Sequence, residues 1–438
     1  MRVKRRRSLF DHRESPNNPY RMMLWGVLIL IGLLILRGIG TGDVQPLFVS
    51  TPTATRSVAS FREEGAAFFE AGNLDLAIQA YQDALDVAPD DYLGWTELAR
   101  IQAYSSSLLT QQRKKGRMEE ALNSIDRALE LAPDVSIVHA VRSFVLDWSA
   151  GAAGSSAERQ AFLAEASTES IRARQLDNQN VLALAYQAEV FADQQQFEQA
   201  VQYAELAIAS DPNSMDTRRV YAYVLEATGQ YGRAIDQYKQ ATQIAPNLTF
   251  LYISIGQNYR QLGLYDQALE FFDQAASINS VLSITDPLPY VAIAKTYTRQ
   301  GEFFAAAANA KKAITFDPEN PDLYGQLGII FFRSRNYEGS VPVLECAVEG
   351  CGDGDCAVLG CETEIDAEEG IPVNGLALDD ASLPYYYTYG SVLAALDQCD
   401  QAIPILNQLA SAYPDDSLVM GIVNENYEVC EFLAAQSQ

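Results

Sequence analysis

The sequence predicts an all-α protein in which about nine helix pairs stack into an α-solenoid with a C-terminal capping helix, preceded by one transmembrane helix. Three observations support this prediction: an internal repeat of 34 residues, small residues at fixed places within each repeat, and a long apolar run near the N-terminus. The chain has 438 residues, of which 48% are hydrophobic and 10% aromatic, so it can bury a large core. A repeated unit replaces the several separate domains that this length would otherwise suggest.

The charge of the chain is strongly asymmetric. Residues 1–40 contain eight basic and two acidic side chains, a balance of +6, whereas the whole chain carries a net charge of -26. The rest of the protein is therefore highly acidic, at -32. Such a charge argues against a general nucleic-acid binder, because those proteins neutralise phosphates with Lys and Arg. We therefore expect no nucleic-acid partner.

The basic end predicts a membrane anchor. Residues 22–36 form an unbroken apolar run, and a helix over 22–39 would span about 27 Å, close to the hydrocarbon thickness of a bilayer. The positive-inside rule assigns the basic tail, residues 1–21, to the cytoplasm and the acidic body to the extracytoplasmic side. We expect a single-pass protein of the cell membrane with an uncleaved signal anchor. A cleavable signal peptide, a twin-arginine signal and a buried core helix are the alternatives, but no A-x-A-like cleavage site follows the run.

The anchor is followed by a segment of different composition. Residues 40–57 are rich in Thr, Ser, Pro and Gly and lack a helical period. This composition predicts a flexible linker between the membrane and the body.

The acidic body consists of one repeated unit. Segments 181–214, 215–248 and 249–282 align without a gap at a period of 34 residues. Each has two apolar-periodic stretches around a break, and small residues at fixed places allow two helices to approach closely. One helix pair cannot bury its apolar face alone, so neighbouring pairs must stack. The aligned positions are Phe197, Tyr231 and Tyr265; Ala200, Ala234 and Ala268; and Ala207, Ala241 and Ala275.

This pattern resembles the tetratricopeptide repeat (TPR) family, in which positions 8, 20 and 27 of the unit are small, position 24 is usually large and position 32 favours Pro. The resemblance extends over residues 58–434 and implies a scaffold for protein–protein interaction. Ser417–Leu433 has the spacing of an amphipathic helix that caps such a stack, and residues 355–382 form an insertion containing Cys, Gly and Asp. The further units are 58–91, 92–135, 136–180, 287–320, 321–354 and 383–416, some with inserted residues.

The sequence offers little for catalysis. Its two histidines are His12, in the basic tail, and His139, at a core-facing position of a degenerate repeat. No Ser-His-Asp or Cys-His pair can be assembled from them on the extracytoplasmic side, and no phosphate-binding loop is present. We therefore expect a protein that is not an enzyme and that has no cofactor and no metal site.

The six cysteines all lie in the C-terminal part of the chain. Cys346, Cys351, Cys356 and Cys361 recur every five residues, a wider spacing than zinc sites usually have, so two disulfides are expected in an oxidising compartment. Three pairings of these four remain open. In the stacking that the resemblance implies, the start of the helix at Cys399 meets the end of the cap helix near Cys430. This proximity predicts a Cys399–Cys430 disulfide, and two buried free thiols are the alternative.

The resemblance implies that partners bind to the concave face, which the family builds from positions 2, 5, 9, 12 and 13 of each first helix. In the central units these positions hold five basic side chains, which favours an acidic peptide or chain end beside aromatic and aliphatic anchors. Alternatively, these cations pair with acids such as Asp193, Glu226 and Asp322. Tyr and Gln stand where the carboxylate clamp of chaperone-binding members has Asn. The expected groove residues are Arg219, Tyr223, Phe250, Ile253, Gln257, Arg260, Lys295, Arg299, Ile329, Phe332 and Arg333.

These features together predict a membrane-anchored scaffold that binds a protein partner through its concave face. An alternative is a component of an envelope export or assembly machine that contacts a polysaccharide or a secreted protein. The Tyr-rich segment 384–390 would offer stacking surfaces for sugars, although Tyr386 and Tyr389 are more simply core positions.

Overall fold

The computed structural model describes residues 19–41, 56–352, 354, 358 and 370–436. It divides into two compact units, Met1–Arg56 and Ser57–Gln438. Most of the expected basic tail, most of the linker, a large part of the 355–382 insertion, and Cys356 and Cys361 lie outside the described residues.

The first unit contains one long apolar helix. Helix α1 (Pro19–Thr41) has 23 residues, so it is about 35 Å long. Its segment Pro19–Arg37 is long and apolar enough to cross a membrane, and none of this segment is buried by protein. A signal sequence near the N-terminus would meet the same criteria.

The second unit is an α-solenoid of nine antiparallel helix pairs followed by a final helix, counted over the described residues. The helix bounds follow the 34-residue repeat, and the units with inserted residues are longer than the others. The pairs are α2 (Val58–Glu70) and α3 (Leu74–Val87), α4 (Tyr92–Ser106) and α5 (Gln111–Leu131), α6 (Ser136–Ala150) and α7 (Ser156–Leu176), α8 (Val181–Asp193) and α9 (Phe197–Ser210), α10 (Met215–Ala227) and α11 (Tyr231–Ile244), α12 (Thr249–Gln261) and α13 (Tyr265–Leu282), α14 (Leu288–Gln300) and α15 (Phe303–Phe316), α16 (Pro321–Arg333) and α17 (Tyr337–Val348), and α18 (Leu383–Ala395) and α19 (Cys399–Ala412), with α20 (Ser417–Gln436) last.

The small residues of the repeat let the two helices of a pair touch. Gly256, at position 8 of its unit, faces the ring of Phe272, at position 24. A Cβ added at Gly256 would lie 2.7 Å from Cδ1 and 2.8 Å from Cζ of that ring. Gly65 faces Tyr81 in the same way sixteen residues later. The large residue of each second helix therefore occupies space that only a small residue of the first helix leaves free.

The turn between the two helices of a pair requires a left-handed residue. Gly229 and Gly263 occupy this position with φ of 75° and 74°. Gln195 stands one repeat earlier and adopts φ 61° despite its Cβ. The sequence break with Gly therefore marks a conformational requirement, which costs a non-Gly residue about 1–2 kcal/mol.

The solenoid coils tightly enough for early units to contact much later ones. The ring of Tyr104 stacks on that of Phe250, with centroids 5.4 Å apart and an interplanar angle of 6°. Thr110 Oγ1 donates to Asp317 Oδ2 at 3.1 Å, and Arg113 pairs with Asp317 at 2.8 Å. These contacts join residues more than a hundred positions apart, so the concave face of the early units is enclosed by the later ones.

Two short strands flank the insertion near the C-terminal end. Strands β1 (Gly350–Cys351) and β2 (Val373–Asn374) pair antiparallel, with Gly350 opposite Asn374 and Cys351 opposite Val373. Cys346 at the end of α17 is bonded to Cys351, with an S–S distance of 2.00 Å.

The final helix closes the stack. Helix α20 packs on α18 and α19 and buries Val419 and Val423 against them. The Sγ atoms of Cys399 and Cys430 are 2.08 Å apart, and their Cα atoms 5.6 Å. The start of α19 thus lies beside the C-terminal part of α20, as the stacking of the repeats requires.

Replacing Gly256 by Ala should destabilise the solenoid. The added methyl group overpacks Phe272, which costs roughly 1–3 kcal/mol, while Ala gains about 1 kcal/mol of helix propensity over Gly. We expect a net loss of up to about 2 kcal/mol in the free energy of unfolding, measured by urea denaturation. Gly232→Ala is the matched control, since nothing lies within 4 Å of its added Cβ. Equal effects of the two changes would contradict the packing role of Gly256.

Candidate functional site

Most of the expected groove residues fall in two separate cavities. We call the first the central pocket, a cavity of about 310 Å³. We call the second the basic groove, a cavity of about 320 Å³. The central pocket is lined chiefly by Lys114, Asp147, Trp148, Glu189, Asp193, Arg219, Tyr223, Phe250, Ile253 and Gln257. The basic groove is lined chiefly by Arg260, Lys295, Arg299, Ile329, Arg333 and Tyr385.

Arg219 belongs to the interior of the solenoid and is only 4% exposed. Its Nη1 and Nη2 donate to Glu189 Oε1 and Oε2, each at 2.6 Å. Its guanidinium also lies 5.4–5.5 Å from the ring centroids of Tyr104, Phe144 and Trp148. Burial alone would lower the pKa of Arg219, but the Glu189 carboxylate outweighs it and raises the pKa well above its usual value. The expectation that Arg219 faces a ligand is therefore not met, because this cation is fully engaged inside the protein.

Asp216 is the second centre of the buried network. Its carboxylate accepts hydrogen bonds from the hydroxyls of Tyr104 and Tyr186, the latter at 2.8 Å, and from Arg100 Nη1 at 3.2 Å. Burial raises the pKa of Asp216, but Arg100 and these hydroxyls outweigh it, so the pKa is lowered overall. Asp216 therefore links the first helices of three units through one ionised carboxylate.

The sequence interpretation missed the residues that complete this network. These residues stand at groove positions of their units but were not among the expected groove residues: Arg100 and Glu189 at position 9, Tyr104 at position 13 and Asp216 at position 2. Applying positions 2, 5, 9, 12 and 13 to the first helix of every unit would have identified these four residues. It would not have shown that they contact one another, because that depends on how tightly the solenoid coils.

Tyr223 and Gln257 line the central pocket, together with Phe250 and Ile253. The Tyr223 hydroxyl donates to Asp193, and Trp148 Nε1 donates to Glu189 Oε1 at 3.0 Å. These residues therefore surround carboxylates. Of the five cations with which the sequence interpretation grouped them, only Arg219 lines the same cavity.

The basic groove brings together four of the five expected cations. Arg260 comes from α12, Lys295 and Arg299 from α14, and Arg333 from α16. Within the part of the chain that the structure describes, none of the four lies within 4 Å of a carboxylate oxygen. Arg260 Nη1 donates to the Ala292 carbonyl at 3.3 Å. The positive charge of the groove is thus left without a direct acidic partner.

The local electrostatics of the groove reflect this crowding of like charges. The pKa of the Arg260 guanidinium is lowered, first by burial and then by Arg299. The pKa of the Lys295 ammonium is also lowered by burial, which Asp322 partly opposes and Arg260 reinforces. Asp322 is already engaged, since it accepts a hydrogen bond from the Tyr385 hydroxyl at 2.5 Å. An anion placed in the groove would relieve these unfavourable interactions.

Phe332 lies outside the basic groove. Its ring packs on Tyr337 with centroids 5.7 Å apart, at the start of the second helix of the same unit. The apolar wall of the groove comes instead from Ile329, Ile330 and Tyr385.

The remaining candidate residues serve the fold. His139 is 6% exposed, with Nδ1 2.5 Å from Glu169 Oε2 and Nε2 2.8 Å from the Pro133 carbonyl oxygen. Tyr386 and Tyr389 are buried, so they offer no stacking surface for a sugar. Over the described residues, no group of three or more His, Cys, Asp or Glu side chains could hold a metal ion.

Comparison with known protein families identifies the repeats. Models described as tetratricopeptide repeats match residues 62–136 and 385–416. A model described as anaphase-promoting complex, cyclosome, subunit 3 matches residues 193–275.

Curated relatives match only short parts of the chain. The BBSome complex member BBS4 of Bos taurus is 29% identical over 122 residues, which are 27% of this chain and 22% of that protein. The anaphase-promoting complex subunit 3 of Dictyostelium discoideum is 34% identical over 88 residues, which are 19% of this chain and 9% of that protein. The matched regions thus span well under a third of each relative.

Solved structures of similar architecture include a tetratricopeptide repeat protein from Parabacteroides merdae, 18% identical with a TM-score of 0.38, covering 63% of this chain and 98% of that one. YrrB, a TPR protein with an unusual peptide-binding site, is 19% identical with a TM-score of 0.27, covering 46% of this chain and 94% of that one. Because these TM-scores are below 0.5, the assignment depends on the sequence repeats, the helix pairs and the family models. On those grounds the solenoid is built from repeats of the tetratricopeptide type.

Proposed function

We propose that this protein is a membrane-anchored scaffold, without catalytic activity, that binds the acidic segment or chain end of a protein partner in the basic groove. The observation that supports this function is the set of four cations without a carboxylate partner, on a chain whose net charge is -26. The contacts of these cations within the described residues are with neutral groups: Arg260 donates to the Ala292 carbonyl and lies over the Phe272 ring, and Arg299 donates to Gln261. A bound carboxylate would neutralise their charge.

The chemistry of the groove fits a carboxylate-bearing peptide. Arg guanidinium groups can hold a carboxylate with two parallel hydrogen bonds, whereas Lys acts as a point charge. Arg299 and Arg333 are exposed and Lys295 lines the same cavity, so all three can reach a ligand, while Ile329 and Tyr385 offer apolar contact beside them. The groove would therefore recognise an acidic group with an apolar neighbour.

The proposed membrane location is supported by α1 and by the charges around it. The helix is long enough to span the hydrocarbon core, and basic residues precede it in the sequence. In this arrangement residues 1–21 face the cytoplasm and the solenoid, residues 58–434, faces the extracytoplasmic side at the end of the linker, residues 40–57. A cleaved signal sequence would place the same solenoid outside the cytoplasm without an anchor.

Reversing two groove charges should abolish capture of an acidic peptide. The test uses the full chain in lipid nanodiscs and fluorescence anisotropy of a labelled peptide ending in consecutive Glu residues. Arg299→Glu with Arg333→Glu should weaken binding by at least about tenfold, and rising salt should weaken wild-type binding.

The matched control is Arg127→Glu with Arg172→Glu, which makes the same charge change on the second helices α5 and α7. It should bind like the wild type. An unchanged affinity in the groove variant, or equal losses in both variants, would overturn the groove assignment.

The extracytoplasmic location predicts that the cysteines are oxidised in the cell. Disulfides persist in oxidising compartments and are rare in the cytosol. Thiols are trapped by acid quenching of intact cells and alkylated under denaturing conditions without reductant, and the peptides are analysed by mass spectrometry. We expect no alkylation of Cys399, Cys430, Cys346 or Cys351 until reductant is added. Alkylation of Cys399 and Cys430 without reductant would contradict both the disulfide and the location.

A further inference from the structure

The central pocket contains a carboxylate that the network around it does not satisfy. Asp147 is 2% exposed, and neither of its carboxylate oxygens has a donor other than the neighbouring carboxyl of Asp193. It lines the central pocket on α6, close to Asp193 and Glu189 of α8. A buried carboxylate without a donor costs several kcal/mol. Whether Asp147 is stabilised therefore depends on the hydrogen-bond donors that its neighbouring carboxylates leave free.

The nearby carboxylates are unequally provided with donors. Glu189 is paired with both Nη atoms of Arg219 and also accepts from Trp148. Asp193 accepts from the Tyr223 hydroxyl at Oδ1. The cation Arg219 is thus used by Glu189, and two carboxyls remain with one hydroxyl donor between them.

The pKa shifts of Asp147 and Asp193 agree with this shortage of donors. The pKa of Asp147 is raised well above its usual value, first by burial and then by the carboxylates of Asp193 and Glu189. The pKa of Asp193 is also raised by burial, against the hydrogen bond from Tyr223. Arg219 acts on Asp147 and Arg159 on Asp193, but neither forms an ion pair with them, so the two carboxyls can share one proton, as closely spaced acids do.

Among the described residues, the cations that line the central pocket do not pair with Asp147 or Asp193. Lys114 lines the same pocket but lies within 4 Å of no carboxylate oxygen and makes no hydrogen bond from its side chain, as far as the described residues extend. The pKa of its ammonium is lowered by burial. The other cation of the pocket is Arg219, which is already paired.

We propose that the central pocket is a second binding site, which takes a primary ammonium group on an alkyl chain against Asp147 and Asp193. An ammonium has three donors and no acceptor, so it can serve both free oxygens of Asp147 and the second oxygen of Asp193. Trp148, Phe250 and Ile253 line the same cavity and provide apolar and aromatic surface for the alkyl stem. The source of the group is either a lysine side chain of a bound protein or a free alkylamine.

This site is chemically opposite to the basic groove and does not depend on it. Three carboxylates, one engaged guanidinium and the Lys114 ammonium surround the central pocket, whereas four cations surround the groove. A partner bearing both charges could engage the two cavities at once. Each cavity can nevertheless be tested alone.

Binding is measured by isothermal titration calorimetry on the full chain in lipid nanodiscs. The probes are Nα-acetyl-lysine methylamide, its neutral counterpart Nα-acetyl-norleucine methylamide, and butylamine. We expect the lysine amide or butylamine to bind and the norleucine amide not to bind. Binding of the lysine amide supports a protein side chain as the source, and binding of butylamine alone supports a free amine.

Asp147→Asn should weaken binding of the ammonium probe by at least about tenfold, because the neutral amide cannot pair with the charge of the ammonium. Asp86→Asn on the exposed face of α3 is the matched control and should change nothing. Arg299→Glu with Arg333→Glu should also leave amine binding intact, which separates this site from the groove.

Three outcomes would overturn the proposal: no binding of either amine to the wild type, equal binding of the norleucine amide, or undiminished binding to the Asp147→Asn variant. If that variant has a lower melting temperature, the comparison of lysine and norleucine amides on the wild type remains decisive.

Discussion

The arrangement of the concave face depends on one buried ion pair. Arg219 and Glu189 meet through two hydrogen bonds of 2.6 Å, at 4% and 3% exposure. Removing two charges from water is costly, and the cost is offset only when the geometry is good and the remaining donors and acceptors are used. Here the pair is bidentate, Trp148 donates to Glu189, and three aromatic rings surround the guanidinium. Such a pair specifies how α8 and α10 must face each other.

The consequence of this pair is a division of the concave face into parts with different roles. Tyr104 contacts Arg219, Asp216 and Phe250, so the early units are drawn onto the later ones. The interior of this coil is filled by aromatic and charged side chains, apart from the central pocket. Only from the end of α12 onward does the face open with its cations unpaired. The net charge of the chain therefore says little about what either cavity binds.

The helix pairs and their contacts could be predicted because they are local. The 34-residue period places Gly256 and Phe272 sixteen residues apart on facing helices, and the break before Tyr231 marks the left-handed turn at Gly229. The fate of Arg219 could not be predicted, because its partner lies 30 residues away and its aromatic neighbours as much as 115. The contact of Thr110 with Asp317 depends on the pitch of the coil. This pitch results from small rotations between successive units, which add up along the chain. Of the expected groove residues on α14 and α16, Lys295, Arg299, Ile329 and Arg333 line one cavity, whereas Phe332 packs on Tyr337.

The most direct test is a double-mutant cycle on the central ion pair, followed by urea unfolding of the full chain. We predict that Arg219→Met alone lowers the free energy of unfolding by roughly 3–5 kcal/mol, because it leaves Glu189 buried without its cation. Adding Glu189→Leu should restore most of that stability, since an apolar pair of similar volume removes the unpaired charge. Arg127→Met, which breaks only an exposed pair with Glu130, should change stability by less than about 1 kcal/mol. A loss for Arg219→Met no larger than that of Arg127→Met, or no recovery in the double variant, would contradict a coil organised around this pair.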